Sequence, residues 1–309
     1  MASGYLSSMP RIVSFLPSAT EIAYTIGAGA DLVGRSHECD FPPEVKALPI
    51  VSKPALPIGK MTQGEIDSAV ASHLASGASL YEVDEVLLRD LAPDVVFTQD
   101  LCQVCAPSGT ELTRALKTLP SNPEVLWLTP RNLSEIEDNI LDVGRVVGRR
   151  LEAESLVENN RARIASVREA LRGVTPRRIV FLEWTDPPFC PGHWVPEMIE
   201  IAGGIDENGR AGADSVRMAW DDLASQSPEM IIVAPCGYGL TQALQAAQQI
   251  PQVFGARVIA VDANAYFARP GPRVVEGIEL LAHLFHPDRF DWPHAHTPWA
   301  ESPETASRS

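Results

Sequence analysis

Residues 133–172 contain no proline, and across them Ile136, Ile140, Val143, Val147 and Leu151 recur at spacings of three and four. Leu156, Ile164, Val167 and Leu171 extend the pattern. That period is a helix face, so the stretch predicts one long helix or two nearly continuous ones. Its charges are mixed, as on a solvated outer surface. A long helix in mid-chain leaves two flanking segments, and each must bury its own apolar runs. On both sides those runs are short and each is followed by a helix start, which reads as strand, exit loop, helix.

On the N-terminal side the predicted strands lie at 11–16, 31–35, 94–98 and 125–128, with a short extended piece at 51–54. Helices are expected from 17 to near Gly27, over 62–76, over 83–91 and around 109–119. Ser18 is the expected N-cap of the first helix, with Glu21 three residues on. On the C-terminal side strands are expected at 178–182, 230–234 and 257–261. Helices are expected at 196–202, 220–226 and 273–285. The organisation is therefore an N-terminal α/β lobe over 10–130, a bridging helix over 131–173, a C-terminal α/β lobe over 174–287 and a tail over 288–309. The tail is rich in proline and small polar residues, and its end is expected to be poorly ordered.

Five cysteines all fall in loops directly after predicted strands: Cys39, Cys102, Cys105, Cys190 and Cys236. In open α/β sheets ligands bind at those loops. Cys102 and Cys105 stand in C-x-x-C spacing, which brings two sulfurs to one metal ion. His37 and Cys39 from the neighbouring loop would complete a tetrahedral zinc site, and three or four of the cysteines, Cys190 among them, would instead hold an iron–sulfur cluster. The competing reading makes them small apolar packers, which suits Cys236 beside Gly237 best.

The second-lobe exit loops also gather aromatics: Trp184, Phe189, Trp194, Tyr238, Tyr266 and Phe267. Flat apolar walls with few polar groups suit a large planar ligand. His37 and His193 offer imidazoles. Glu38, Asp40, Glu183 and Asp186 offer acid–base groups, and Arg35, Arg269 and Arg273 offer anion contacts. No G-x-S-x-G, P-loop or G-x-G-x-x-G is present, so no nucleophile–base pair marks an enzyme. A formal net charge of -15 excludes a nucleic-acid surface. No apolar run reaches transmembrane length. The first residues lack a charged segment followed by an apolar core, so the chain is expected to be cytoplasmic.

The run Ile12, Val13, Ser14, Phe15, Leu16, Pro17, Ser18, Ala19, Thr20, Glu21, Ile22 resembles the opening of helical-backbone periplasmic binding proteins. Leu91, Ala92, Pro93, Asp94 and Ser227, Pro228, Glu229 look like the class's approaches to a central strand in each lobe. Arg269, Pro270, Gly271, Pro272 and Arg273 are similar to its last helix entry. His37, Glu38, Cys39, Asp40, the C-x-x-C loop and Cys190, Pro191, Gly192, His193, Trp194 resemble a signal-less branch labelled cobalamin-binding protein. The resemblance implies two α/β lobes joined by one long helix, with the ligand in a cleft between them. It implies a small-molecule-binding protein of the ABC-transporter substrate-binding type, its ligand cobalamin, another corrinoid or a related tetrapyrrole. Ser18, His37, Trp184, His193, Trp194, Tyr238, Tyr266 and Arg269 are then the expected ligand contacts, and His37 or His193 an axial ligand. An ABC importer enters as partner only if the chain is exported. The alternative is a cytoplasmic metalloprotein or enzyme using zinc or an iron–sulfur centre held by Cys39, Cys102, Cys105, Cys190 and His37.

Overall fold

A computed structural model describes residues 9–76, 79–99, 110–117, 119–120, 122–251 and 255–302. The chain divides into two compact units. The first comprises Met1–Lys60, Ser68–Thr129 and Glu137–Val157, and the second Met61–Asp67, Pro130–Ile136 and Glu158–Ser309.

In the first unit the order is β1 (Ile12–Ser14), α1 (Pro17–Thr25), β2 (Leu32–Ser36), β3 (Ile50–Pro54), α2 (Gln63–Ser76), β4 (Tyr81–Val83), α3 (Glu85–Leu91), β5 (Val95–Thr98), α4 (Thr110–Lys117), β6 (Glu124–Trp127) and α5 (Leu133–Val146). The first turns of α2 and α5 belong to the second unit. The sheet order is β4-β3-β2-β1-β5-β6. All pairs are parallel except β3 with β4. Val13, Phe15, Val51, Leu88, Val96 and Ala115 form a core against this sheet. β1 and β5 are buried throughout, so they read as continuous apolar runs. β4 was not foreseen: it is a short edge strand with no buried residue.

Of the two forms expected for the proline-free stretch, one long helix or two, the chain takes two. α5 ends at Val146 and α6 (Arg150–Ala170) begins four residues later as a separate helix. Gly148 sits at φ +71°. The Arg149 amide donates to Gly144 O at 2.7 Å and the Gly148 amide to Arg145 O at 3.5 Å. That pair of bonds is the Schellman ending. A Cβ on Gly144 would lie 2.4 Å from the Ala153 Cβ, so the chain folds back at this corner. The apolar period continues through the corner because both helices bury a face.

The second unit continues with β7 (Arg177–Leu182), β8 (Trp184–Thr185), β9 (Pro188–Cys190), β10 (Gly192–His193), α7 (Val195–Ile201), β11 (Gly204–Ile205), β12 (Arg210–Ala211), β13 (Val216–Arg217), α8 (Trp220–Ser225), β14 (Met230–Val233), α9 (Leu240–Ala247), β15 (Arg257–Val261), α10 (Ala263–Tyr266), α11 (Val274–Phe285) and β16 (Trp299–Glu301). Its main sheet runs β11-β7-β14-β15-β16, parallel but for β15 with β16. The β7 exit folds into small sheets of its own, β13-β9-β8 and β10-β12. Val180, Leu182, Ile231, Val233, Val258 and Ala260 share a core with Ala243, Ala246 and Ala247 of α9, a helix the sequence reading did not foresee.

The end of the tail, residues 303–309, lies outside the described residues, but its earlier part is built into the fold. Residues 299–301 add β16 to the sheet edge, where Ala300 pairs with Ala260 and Trp299 with Val261. Trp292, His294, His296 and Trp299 pack as one aromatic group beside Tyr266 and His283. At α1 the helix starts at residue 17 as expected, but its cap differs. Pro17 takes its first position, as its fixed φ allows, so Leu16 is the N-cap and Ser18 lies inside the helix.

Candidate functional site

Each parallel sheet has one place where its order reverses, and strand ends there leave an open crevice. In the first unit β1 is flanked by β2 and β5. Ser18 is buried there in the first turn of α1. The loop leaving β5 begins with the buried Gln99. Cys102 and Cys105 follow it and lie outside the described residues.

The β2 exit is tied down by Arg35. Its buried guanidinium donates to Ser36 O at 3.1 Å, Cys39 O at 3.0 Å and Lys46 O at 3.3 Å. This arginine fixes a loop, where the sequence suggested an anion contact. His37 Nδ1 lies 3.1 Å from Ser52 O, its Nε2 lies 3.2 Å from Glu38 Oε1, and the ring faces Tyr81 at 5.7 Å. The Nε2 contact lacks hydrogen-bond alignment, so that nitrogen is buried without a bonded partner. Cys39 is fully buried and its Sγ accepts from Thr20 Oγ1 at 3.1 Å.

In the second unit the reversal falls between β7 and β14. The two strand exits meet there. The Cys236 amide donates to Glu183 O at 3.0 Å, and the rings of Trp184 and Tyr238 stand 5.6 Å apart. The Trp184 indole N–H donates to Asp186 O at 3.0 Å, which fixes its plane. Gln63 of the first α2 turn accepts from Thr185 N at 2.9 Å, Thr185 Oγ1 at 2.7 Å and Asp186 N at 3.1 Å. Its contribution was invisible in sequence, because Gln63 stands more than a hundred residues from its partners.

His193 occupies the next turn of this loop system with φ +52°, in the left-handed region that a β-carbon disfavours. Its amide donates to Ala213 O at 2.7 Å, and its carbonyl accepts from Gly212 N at 2.9 Å. The imidazole Nε2 lies 3.3 Å from Asp214 Oδ1 without hydrogen-bond alignment. Burial holds its pKa below the ordinary histidine value, with Arg131 acting the same way and Asp214 opposing. The imidazole is therefore held neutral, as a metal or hydrogen-bond acceptor must be.

Glu183 directly precedes Trp184. Its carboxylate accepts from the Ser215 hydroxyl and from the Gly192 amide. The residue keeps part of its surface accessible, but the carboxyl itself is enclosed. Burial pushes its pKa up to about 7, and the nearby Asp206 adds to the rise. Asp206 is satisfied by Phe181 N at 2.7 Å, Asn208 N at 2.9 Å and Asn208 Nδ2 at 3.1 Å.

The remaining expected contacts are packed differently. Trp194 is buried and donates to Phe267 O at 2.9 Å. Tyr266 is covered by the C-terminal segment, its hydroxyl 2.7 Å from His296 Nε2, and burial pushes its pKa up to about 12. Arg269 is buried at the entry to α11. The structure thus brings Trp184 and Tyr238 together at the β7 and β14 exits, sets the His193 ring 5.7 Å from that of Trp194, and turns the polar atoms of Trp194 and Tyr266 inward.

Among the described residues no three His, Cys, Asp or Glu side chains are grouped to hold a metal ion. Cys39 and Cys190 lie in different units, each in its own unit's interior. Burial raises the Cys190 thiol pKa, and Asp206 and Glu183 raise it further, the reverse of what a thiolate ligand needs. Cys236 is exposed. The zinc and iron–sulfur reading gains no support from the described residues.

The sequence pattern of the periplasmic binding proteins matches residues 12–254. An ABC transporter substrate-binding lipoprotein of Bacillus subtilis (strain 168) is 23% identical over 290 residues, covering 91% of this chain and 81% of that protein. A vitamin B12-binding protein of Vibrio cholerae serotype O1 (strain M66-2) is 22% identical over 275 residues, covering 88% and 87%. The apo structure of a periplasmic heme-binding protein from Roseiflexus sp. RS-1 superposes with a TM-score of 0.67 at 22% identity, covering 91% and 99%. Among the described residues no helix is long and apolar enough to cross a membrane. The cytoplasmic placement expected from the first residues is overturned by these matches, which are to periplasmic and lipoprotein binding proteins. With the pattern spanning well over half of its length, the chain belongs to the periplasmic binding protein family.

Proposed function

We propose that this chain is an ABC-transporter substrate-binding protein that binds a corrinoid, or a related tetrapyrrole, reversibly and without chemistry. The observation that carries this reading is the aromatic pair Trp184 and Tyr238 at the β7/β14 reversal, whose rings stand 5.6 Å apart. Aromatic faces hold a macrocycle by stacking and by apolar burial. A neutral imidazole supplies one directed contact to its central metal ion. The names of the relatives support the ligand class, since they include vitamin B12- and heme-binding proteins.

Titration of the purified protein with hydroxocobalamin, followed by absorption, tests this. The reading expects saturable one-to-one binding and a spectral shift as imidazole replaces water on cobalt. Trp184→Ala is expected to weaken binding by tenfold or more, about 1.4 kcal/mol or above, as for a buried aromatic anchor. A protein that leaves the corrinoid spectrum unchanged and shows no retention of the ligand on dialysis sinks the corrinoid assignment.

A further inference from the structure

Glu183 has no evident structural reason to be an acid. A glutamine there could accept from Gly192 N–H and donate to Ser215 Oγ without burying a charge. The side chain nevertheless sits beside a second enclosed carboxyl, Asp206, and beside the Cys190 thiol, with no cation among the groups that shift its titration. Its contacts lead to one place. Gly192 directly precedes His193, and Ser215 directly follows Asp214, whose carboxylate lies by the His193 imidazole.

The two backbone segments joined by Glu183 are packed tightly. A Cβ on Gly192 would stand 2.4 Å from Ala213 O and 2.6 Å from Ser215 N. The amide of His193 bonds to Ala213 O, and the Gly212 amide bonds to His193 O. His193 is thus held in a left-handed backbone conformation between segments 190–193 and 212–215. Such strain persists only where its surroundings over-determine it. The Glu183 main chain is itself pinned, donating to Phe189 O at 2.9 Å and accepting from Cys236 N at 3.0 Å.

We propose that Glu183 is a positioning residue for His193: through the Gly192 amide and the Ser215 hydroxyl it clamps together the two segments that hold the imidazole in place for the ligand. This deepens the proposed function and rests on His193 contacting the ligand. The charged and titratable groups facing the clamp are Asp206 and Cys190 at the Glu183 end, and Asp214 and Arg131 at the His193 end. The carboxyl's raised pKa agrees with a group kept at a cost to stability.

The test uses histidine-labelled full chain and follows the His193 Cε1–H resonance, assigned with His193→Ala. Glu183→Ala, Glu183→Gln and Ser215→Ala are compared, with hydroxocobalamin and hemin as probes. Glu183→Ala is expected to shift or broaden the His193 resonance and to weaken the bound probe by about tenfold. Glu183→Gln, which can keep both hydrogen bonds, is expected to restore the resonance and the affinity. An unchanged His193 resonance in Glu183→Ala overturns the proposal, as does a Gln variant that fails to rescue it. Should Glu183→Ala not fold, Ser215→Ala removes one arm of the clamp, and an unmoved resonance there overturns the proposal equally. If the native chain binds neither probe, the ligand assignment fails, while the resonance still decides the clamp.

Discussion

At the residue scale, Glu183 and His193 give stability opposite pH slopes. The folded chain holds the Glu183 proton up to about pH 7, whereas the unfolded chain releases it near its ordinary value. Between those values the folded state binds the extra proton, so this group's stabilisation is full below the unfolded pKa and is lost as pH rises through 7. The shift corresponds to no more than on the order of 3 kcal/mol. Glu183→Gln removes this dependence. Its melting temperature relative to the native chain is expected to climb from pH 5 to pH 8, and thermal unfolding at four or five pH values would check it. A difference that is flat with pH would mean the carboxyl ionises freely in the folded chain. His193 runs the other way, because burial favours its neutral form and stability falls as pH drops below the ordinary histidine value. The comparison with the Gln variant isolates the Glu183 slope, since both chains keep His193.

At the element scale, two segments carry consequences for stability. The corner between α5 and α6 depends on contact at Gly144. An added Cβ there meets the Ala153 Cβ at 2.4 Å and Arg149 O at 3.0 Å. Gly144→Ala should therefore cost about 1–3 kcal/mol by overpacking, more than the roughly 1 kcal/mol that alanine gains in a helix interior. A lowered urea midpoint with unchanged slope is the expected result. The C-terminal strand covers the edge of β15, with Ser302 N bonded to Val258 O at 3.0 Å. A chain ended at Asp288 leaves that edge open and uncovers Tyr266. It is expected to melt lower and to scatter light at concentrations where the full chain stays dispersed. These segments also mark where the sequence was opaque. Strands such as Val95–Thr98 and Met230–Val233 were legible because burial on both faces makes them continuous apolar runs. The corner was not, because the apolar period passes through it and only Gly148 marks the break. The last strand was hidden because it is three residues long with none of them buried, and because Pro298 and Pro303 flank it. In the loops, residue type marked a set of candidates. It could not separate Trp184, which meets Tyr238, from Trp194 and Tyr266, whose polar atoms turn inward to Phe267 and His296.

At the scale of the whole molecule, charge bears on which macrocycle is taken up. The chain carries a net -15, and the loops that follow Trp184 add Asp186 and Asp214. A porphyrin with free carboxylates meets repulsion in such a field, whereas a corrinoid whose rim is made of neutral amides does not. Linkage turns that preference into a measurement, because a ligand that binds only the folded state adds stability in proportion to the logarithm of its excess over Kd. At a hundredfold excess this is about 2.7 kcal/mol, enough to raise the melting temperature by a few degrees. Hydroxocobalamin is expected to give that shift and hemin a smaller one, with the gap narrowing in high salt as the field is screened. A corrinoid with both axial positions occupied by cyanide should shift the transition less than hydroxocobalamin, because it offers no site to the His193 imidazole. Equal shifts from the two corrinoids would leave the aromatic walls in place and remove the imidazole from the binding scheme. A larger shift from hemin, at every salt concentration, would transfer the ligand assignment to the porphyrin class.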